Sequence, residues 1–249
     1  MHDLLRSSLI VVGAGLLSMA CGGGGGGGGA AGGGVAKTGK PLDIARCGPD
    51  AVIDDGEDGN NQVIQQDGRA GYWYTAVDPD GTTIEPQAGA LGGTFTMREG
   101  GSNGSGFAAC MKGFVPETSA KPSGLIGFNF TDPKEAYDAS KYGGIAFWAK
   151  KAPDTVGKVR MKIPDEDTDP QGGVCQECFN DFGMDLELTD NWTEYVIMWP
   201  DATQMPSWGK PRPPAILPDK LYGVQWQFGT RNQNFDMCFD DIAFVGCGG

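Results

Sequence analysis

The stretch Val224-Gln225-Trp226-Gln227-Phe228 decides the fold class, because apolar and polar side chains alternate along it at every position. Alternation with a period of two is typical of a β-strand that buries one face and exposes the other. Related patterns predict further strands at residues 94–97, 144–148, 158–163, 195–199 and 237–245. No segment has a sustained 3.6-residue apolar period, although residues 132–141 are compatible with a short helical turn.

Clusters of Gly, Pro, Asp and Asn separate these runs at short intervals. Many short strands with turns between them are typical of an antiparallel β-sandwich or jelly roll. We therefore predict an all-β fold, with one β-jelly-roll domain over residues 41–249. A chain of this length suits a single domain of that class.

The first twenty residues have the features of an export signal. Arg6 precedes the uncharged, mostly apolar stretch 9–20, which is too short to span a bilayer as a helix. Small residues then lead to Cys21, as in the lipobox of bacterial lipoproteins, although Ser18 stands where such boxes usually have Leu. We predict a lipoprotein signal peptide over residues 1–20 and lipidation of Cys21. The alternative is an ordinary signal peptide and a secreted protein.

Residues 21–40 follow as a predicted flexible tether. Eight consecutive glycines occupy positions 22–29, and such a chain has almost no side chains to bury. A lipid anchor and a flexible tether would hold the domain near a membrane surface. We therefore expect an exported protein that is anchored to the bacterial cell envelope, at the outer membrane or cell surface.

The charge and the histidine content exclude several functions. The formal net charge is −13, which disfavours nucleic acid and anionic lipid headgroups as partners. The only histidine is His2, within the predicted signal. The mature protein would therefore lack the histidine that Ser-His-Asp or Cys-His catalysis and His-ligated zinc need.

Seven cysteines are present, and six remain when Cys21 is set aside. An even number in an exported chain predicts disulfides, but the sequence alone leaves their pairing open. Cys175 and Cys178 form a Cys-x-x-Cys pair between glycines and the stretch 180–183. We interpret this pair as a disulfide that staples a loop. The alternatives, a redox pair or a zinc site, lack the expected helix and the other ligands.

Strand alternation also separates the side chains by face. In the strands around Val159 and Trp226 it directs Arg160, Gln225 and Gln227 away from the core. We predict that these three residues and Trp148 share one sheet face. Amide, guanidinium and indole groups can bind the hydroxyls and the apolar ring face of a sugar. The alternative is an ordinary solvated face.

Six stretches in this order carry a family resemblance: residues 52–59 (VIDDGEDG), 142–150 (YGGIAFWAK), 159–163 (VRMKI), 191–195 (NWTEY), 221–227 (LYGVQWQ) and 239–244 (FDDIAF). Their order resembles galactose-binding-like jelly rolls, particularly family 11 carbohydrate-binding modules and complex-I-assembly-associated domains. The resemblance covers nearly all of residues 47–249.

This resemblance implies a structural calcium ion where the first strand meets the last. Glu57 and Asp241 match the pattern best, with Asp55 and Asp240 beside them, and calcium takes six to eight oxygen ligands. The alternative is that these acids form solvated turns.

The same topology implies a pairing for the cysteines. It places the two ends of the domain side by side and therefore Cys47 near Cys247. This leaves Cys110 with Cys238 and Cys175 with Cys178.

We expect a non-catalytic surface lipoprotein that binds a polysaccharide or other glycan through Trp148, Arg160, Gln225 and Gln227. Tyr72, Trp73 and Trp208 are candidate contacts at the rim, with packing under loops as their alternative role.

The main alternative is a structural or adhesive lipoprotein that contacts protein. A glycoside-active enzyme is a minor alternative, because the acids lie in turns such as 165–169, where their pKa values would stay ordinary.

Overall fold

Alternating runs form several strands of this protein, whose computed structural model describes residues 47–89 and 95–247. The strand predicted at residues 94–97 is not formed, since residues 95–97 are irregular and residue 94 lies outside the described ranges. Within these ranges twelve strands are present: β1 (Val52–Asp54), β2 (Trp73–Val77), β3 (Thr83–Glu85), β4 (Arg98–Glu99), β5 (Phe107–Val115), β6 (Gly124–Asn129), β7 (Gly144–Lys151), β8 (Lys158–Ile163), β9 (Phe182–Glu187), β10 (Thr193–Met198), β11 (Gly223–Phe228) and β12 (Gln233–Val245). The helices of the described part are five short 3-10 turns, at Pro49–Ala51, Ser102–Gly104, Pro170–Gly172, Trp199–Asp201 and Pro218–Lys220. Residues 132–141 are irregular, so the helical turn expected there is absent.

The strands form two antiparallel sheets. The larger sheet has the order β10-β7-β12-β5-β3, with β1 paired to β12 and β4 paired to β5. The smaller sheet has the order β2-β6-β11-β8-β9. The predicted all-β antiparallel sandwich is confirmed.

Aromatic side chains join the two sheets through the core. Trp226 of the smaller sheet stacks on Phe239 of the larger sheet, with ring centroids 4.3 Å apart, and Phe147 contacts the same indole edge-on at 5.1 Å. Trp73 also stacks on Trp226, with ring centroids 5.9 Å apart. Since Trp226 is fully buried, its strand neighbours on both sides point away from the core.

Three disulfides are present, between Cys47 and Cys247, Cys110 and Cys238, and Cys175 and Cys178. They are the same three pairs that the family resemblance implies. Disulfides persist in oxidising compartments, so they indicate a protein outside the cytoplasm.

Several predictions concern residues outside the described ranges. They are the signal peptide at 1–20, the lipidated Cys21, the tether at 21–40, and the first residues of the predicted domain. Within the described ranges, none of the helices is both long enough and apolar enough to cross a bilayer.

Candidate functional site

The smaller sheet presents an outer face that carries three of the seven predicted binding residues. Antiparallel pairing aligns its outward positions in two rows across the five strands. The first row is Tyr74, Gly127, Gln225, Lys162 and Gly183, and the second is Ala76, Leu125, Gln227, Arg160 and Asp185. We call these ten positions the outer sheet face.

Gln225 lies across the neighbouring strand and is held by Tyr74. Its Nε2 donates a hydrogen bond of 2.8 Å to the Tyr74 hydroxyl. Gly127 lies between them. Its lack of a side chain leaves space for the Gln225 side chain, since a Cβ at this position would lie 3.0 Å from Gln225 Cγ. Burial raises the pKa of Tyr74 well above its ordinary value, so its hydroxyl stays protonated.

Gln227 and Arg160 occupy the second row. Gln227 Nε2 donates to Ser123 Oγ at 3.0 Å. Arg160 bonds through Nη1 to Asp185 Oδ1 at 3.1 Å and through Nη2 to the Thr203 carbonyl at 2.5 Å. The structure therefore brings three of the predicted residues, Arg160, Gln225 and Gln227, onto one face.

A buried ion pair lies at one end of the first row. Lys162 Nζ is 2.9 Å from Asp181 Oδ2, and the two side chains are 8% and 1% exposed. No described residue makes a well-directed hydrogen bond to either carboxylate oxygen of Asp181, so the pair is held by charge. Sequence reasoning missed Asp181, which follows the Cys175–Cys178 loop and has no strand pattern around it.

Trp148 does not share this face. It lies on β7 of the larger sheet, where it pairs with Glu194 and Asp240. Its neighbours Phe147 and Ala149 are buried in the core, so the half-buried indole points outward on the opposite side of the sandwich. The prediction that Trp148 joins Arg160, Gln225 and Gln227 is wrong, because alternation identifies the face of a strand but not its sheet.

The three predicted rim aromatics have three different environments. Trp73 is fully buried, and its Nε1 donates to Asp54 Oδ2 at 2.5 Å, so its predicted role as a rim contact is wrong. Tyr72 is half-buried just before β2, on the same side of the chain as Tyr74. Trp208 is 43% exposed on the loop between β10 and β11.

Tyr74 was missed by sequence reasoning, which assigned no strand to residues 72–77. The signal was present in the sequence, because a strand that buries Trp73 must direct both Tyr72 and Tyr74 to the other side.

Two of the acids proposed for calcium, Glu57 and Asp240, contact the segment 101–107. Glu57 Oε1 accepts hydrogen bonds from Ser105 Oγ at 2.6 Å and from the Gly106 amide at 2.7 Å. Asp240 Oδ2 accepts from the Ser102 amide at 2.6 Å. These contacts bring the start of the domain and its last strand to one loop.

Asp241 also contacts this segment, whereas Asp55 has only a local contact. Asp241 Oδ2 accepts from Ser102 Oγ at 2.9 Å, and Asp55 Oδ1 accepts from the Glu57 amide at 3.2 Å. Asp55 therefore shapes a turn and does not contact the loop at 101–107 in any bond described.

Oxygen atoms from several residues converge in this region. A Cβ on Gly101 would collide at once with Ser105 Oγ, the Phe107 carbonyl and Asp240 Oδ2, so three oxygens converge beside this glycine. Burial raises the pKa of Asp240 to about 6, as expected of a carboxylate removed from water. No group of three or more His, Cys, Asp or Glu side chains converges among the described residues. A cation here would therefore need hydroxyl and backbone oxygens as well, which calcium accepts.

Comparisons with known proteins give structural similarity only. No protein-family model matches the sequence, and no curated protein sequence matches it. A family 11 carbohydrate-binding module of a cellulosomal cellulase of Clostridium thermocellum is similar, with a TM-score of 0.48 and 14% identity, over 79% of this chain and 94% of that chain. A family 30 carbohydrate-binding module has a TM-score of 0.46 and 11% identity, over 71% of this chain and 83% of that one. An exo-β-agarase has a TM-score of 0.44 and 9% identity, over 80% of this chain and 25% of the agarase chain.

Proposed function

We propose that this protein is a non-catalytic surface lipoprotein whose outer sheet face binds a polysaccharide. The observation that carries the proposal is the placement of Gln225, Gln227 and Arg160 on one face, with each side chain fixed by a neighbour. The two amides are two residues apart on β11 and therefore about 7 Å apart. This spacing suits hydrogen bonds to successive hydroxyls along a sugar chain.

The chemistry of these groups matches a neutral sugar. Each glutamine donates from Nε2 within the protein, and no described residue donates to its Oε1, which remains an acceptor for a ligand hydroxyl. The protonated Tyr74 hydroxyl can donate to a ligand. The rings of Tyr72 and Tyr74 supply flat surfaces for the apolar face of a pyranose.

The carboxylates of this region support binding rather than catalysis. Asp185 is paired with Arg160, and Asp181 with Lys162. Both carboxylates are therefore engaged in ion pairs rather than placed to donate a proton to a ligand.

We further propose that Cys21 carries the lipid anchor and that residues 21–40 tether the domain to the cell envelope. The apolar stretch 9–20 and the glycine run support this placement. Membrane contact would then be made by the anchor alone, and nucleic acid would not be a partner.

Calcium is proposed as a structural ion held by Glu57, Asp240, Asp241 and the oxygens of the segment 101–107. Bound there, it would neutralise acids from both ends of the domain, with no part in ligand chemistry.

The test is binding of the oxidised, calcium-loaded protein to a panel of β-glucan, β-mannan, β-xylan, agarose and alginate. We expect saturable binding to a neutral polysaccharide that is lost in the Gln225→Ala/Gln227→Ala double variant. Trp148→Ala is the matched control, because this indole lies on the opposite sheet and its loss should leave affinity unchanged. Absence of binding by the well-folded protein would contradict the proposal and favour a protein-contacting role.

A further inference from the structure

Large exposed apolar side chains are concentrated on two loops beside the outer sheet face. Among the described residues, those with substantial exposure are Val174 at 46%, Phe179 at 57%, Met205 at 37% and Trp208 at 43%. The first two lie between β8 and β9, and the other two lie between β10 and β11. We call these four residues the loop platform.

Asn180 ties the two loops of the platform together. Its side chain exchanges hydrogen bonds with the Met205 backbone, from Nδ2 to the carbonyl at 3.0 Å and from the amide to Oδ1 at 2.9 Å. The same Nδ2 donates to the Trp208 carbonyl at 2.5 Å. The backbones of Met205 and Trp208 are therefore fixed relative to the other loop.

A second set of contacts joins the same two loops at Glu177 and Lys210. Glu177 and Lys210 pair through their backbones and form an ion pair of 2.9 Å. The Cys175–Cys178 disulfide closes the first loop beside this pair. The platform is thus cross-linked, so the backbone that carries its exposed side chains is held in position before any ligand binds.

Phe179 has an unfavourable backbone conformation. Its φ is 75°, a left-handed conformation that is rare for a bulky residue, and its amide donates to the Thr168 carbonyl at 2.9 Å. More than half of the ring is exposed, so core packing does not offset this strain. Strained residues and exposed apolar clusters of this kind concentrate at binding sites.

The platform is continuous with the outer sheet face. Thr203 pairs with Gly183 at the β9 edge through backbone hydrogen bonds of 3.1 and 2.9 Å, and its carbonyl accepts from Arg160. A cleft of about 410 Å³ lies beside Thr203 and is lined in part by Phe182 and Arg212. A ligand that lies along the first row would therefore pass from Gly183 to Thr203, on the loop that carries Met205 and Trp208.

We propose that the loop platform extends the binding site and selects long chains of pyranose units whose ring faces are apolar. The inference rests on the proposed glycan-binding function. Trp208 and Phe179 stack on sugar rings beyond those contacted by Gln225 and Gln227. The ligand class is therefore an extended polysaccharide, and mono- and disaccharides bind weakly because they reach only part of the site.

The test compares disaccharides with hexasaccharides prepared from β-glucan, β-mannan, β-xylan and agarose, by calorimetric titration. The variants are Trp208→Ala and Phe179→Gly, separately and together. Glycine accepts the positive φ at position 179, so Phe179→Gly removes the ring and relieves the strain without loss of folding. We expect the double variant to bind the hexasaccharide about tenfold or more weakly, with disaccharide affinity and melting temperature preserved.

Two results would contradict this inference in distinguishable ways. If the double variant binds the hexasaccharide as tightly as the wild type does, while Gln225→Ala loses it, the platform proposal fails and the sheet site stands. If the wild type binds none of these oligosaccharides, both proposals fail.

Discussion

Gln225 reaches across β6 to donate a hydrogen bond of 2.8 Å to the hydroxyl of Tyr74, over the backbone of Gly127. The bond joins the central strand of the smaller sheet to its edge strand. It also fixes the amide plane, so that Oε1 has one orientation before a ligand arrives. Because fixing a side chain in advance lowers the entropy lost on binding, this contact should contribute to affinity.

Tyr74→Phe should therefore weaken glycan binding by a fewfold and lower the free energy of unfolding by about 1 kcal/mol, the usual value of one hydrogen bond. Titration and denaturant unfolding measure the two effects. Tyr195→Phe is the matched control, since its hydroxyl donates to the Glu187 carbonyl at 3.0 Å and does not reach the outer sheet face. The control should lose similar stability and no affinity. Equal affinities in Tyr74→Phe and the wild type would show that Gln225 needs no such support.

Calcium should raise the melting temperature of the protein, and a chelator should reverse the rise. An ion that binds only the folded state at about 100 times its Kd stabilises it by about 2.7 kcal/mol, or roughly 5–10 °C for a domain of this size. Asp240→Asn should abolish the response, whereas Asp55→Asn should retain it because Asp55 contacts only its own turn. If neither calcium nor a chelator changes the melting temperature, the proposed calcium site is absent.

The strands and their faces could be predicted from the sequence, because a period of two requires only local information. Arg160, Gln225 and Gln227 were placed on an outward face by this rule, and the structure agrees. Trp148 also points outward, but from the other sheet. Which sheet β7 joins depends on pairings between residues that are distant in the sequence. Local alternation contains no signal for such pairings.

Loop residues were beyond prediction for a related reason. Asp181 and Asn180 act through contacts with Lys162 and Met205, which lie 19 and 25 positions away in the chain. Trp73 was misjudged because its neighbours Tyr72 and Tyr74 hide the apolar-polar alternation that marks a strand. Aromatic residues occur both in cores and at binding surfaces, and only tertiary packing separates the two.

Two tryptophans with opposite environments should respond very differently to truncation. Trp73→Ala removes a buried indole and leaves Asp54 without its Nε1 donor, so the loss of stability should be about 3–5 kcal/mol. Trp208→Ala should change stability by less than about 0.5 kcal/mol, because this residue is 43% exposed and lies on a loop. Denaturant unfolding distinguishes these outcomes. Similar values for the two variants would mean that one of these indoles has a different environment in solution.

Stability should also depend on pH through Asp165. Burial raises the pKa of this carboxyl to about 6, against about 3.9 in an unfolded chain. The expectation that acids in the turn 165–169 keep ordinary pKa values is therefore wrong for Asp165, which is fully buried. Between the two pKa values the folded protein holds a proton that the unfolded chain has released. The stabilising contribution is therefore fully present below about pH 4 and is lost as the pH rises through about 6.

Asp165→Asn removes this titration and keeps a group that can bond to Thr168 and to the Leu217 amide. Relative to the wild type, the variant should gain on the order of 3 kcal/mol between about pH 4 and pH 7. Unfolding of both proteins across this range isolates Asp165, because the other acids contribute equally to each. Parallel stability curves would show that Asp165 does not titrate with a raised pKa.

The disulfides should differ in their effect on stability because they close loops of very different length. The Cys47–Cys247 bond spans 200 positions, whereas the Cys175–Cys178 bond spans 3. In the chain-entropy model the first stabilises by about 5 kcal/mol and the second by about 2 kcal/mol, since a longer loop restricts the unfolded chain more. Replacing each pair by serines and measuring the free energy of unfolding compares them directly. A larger loss from the Cys175–Cys178 variant would mean that this bond supports folded structure beyond its loop. In that case the Glu177–Lys210 pairing beside it should be weakened as well.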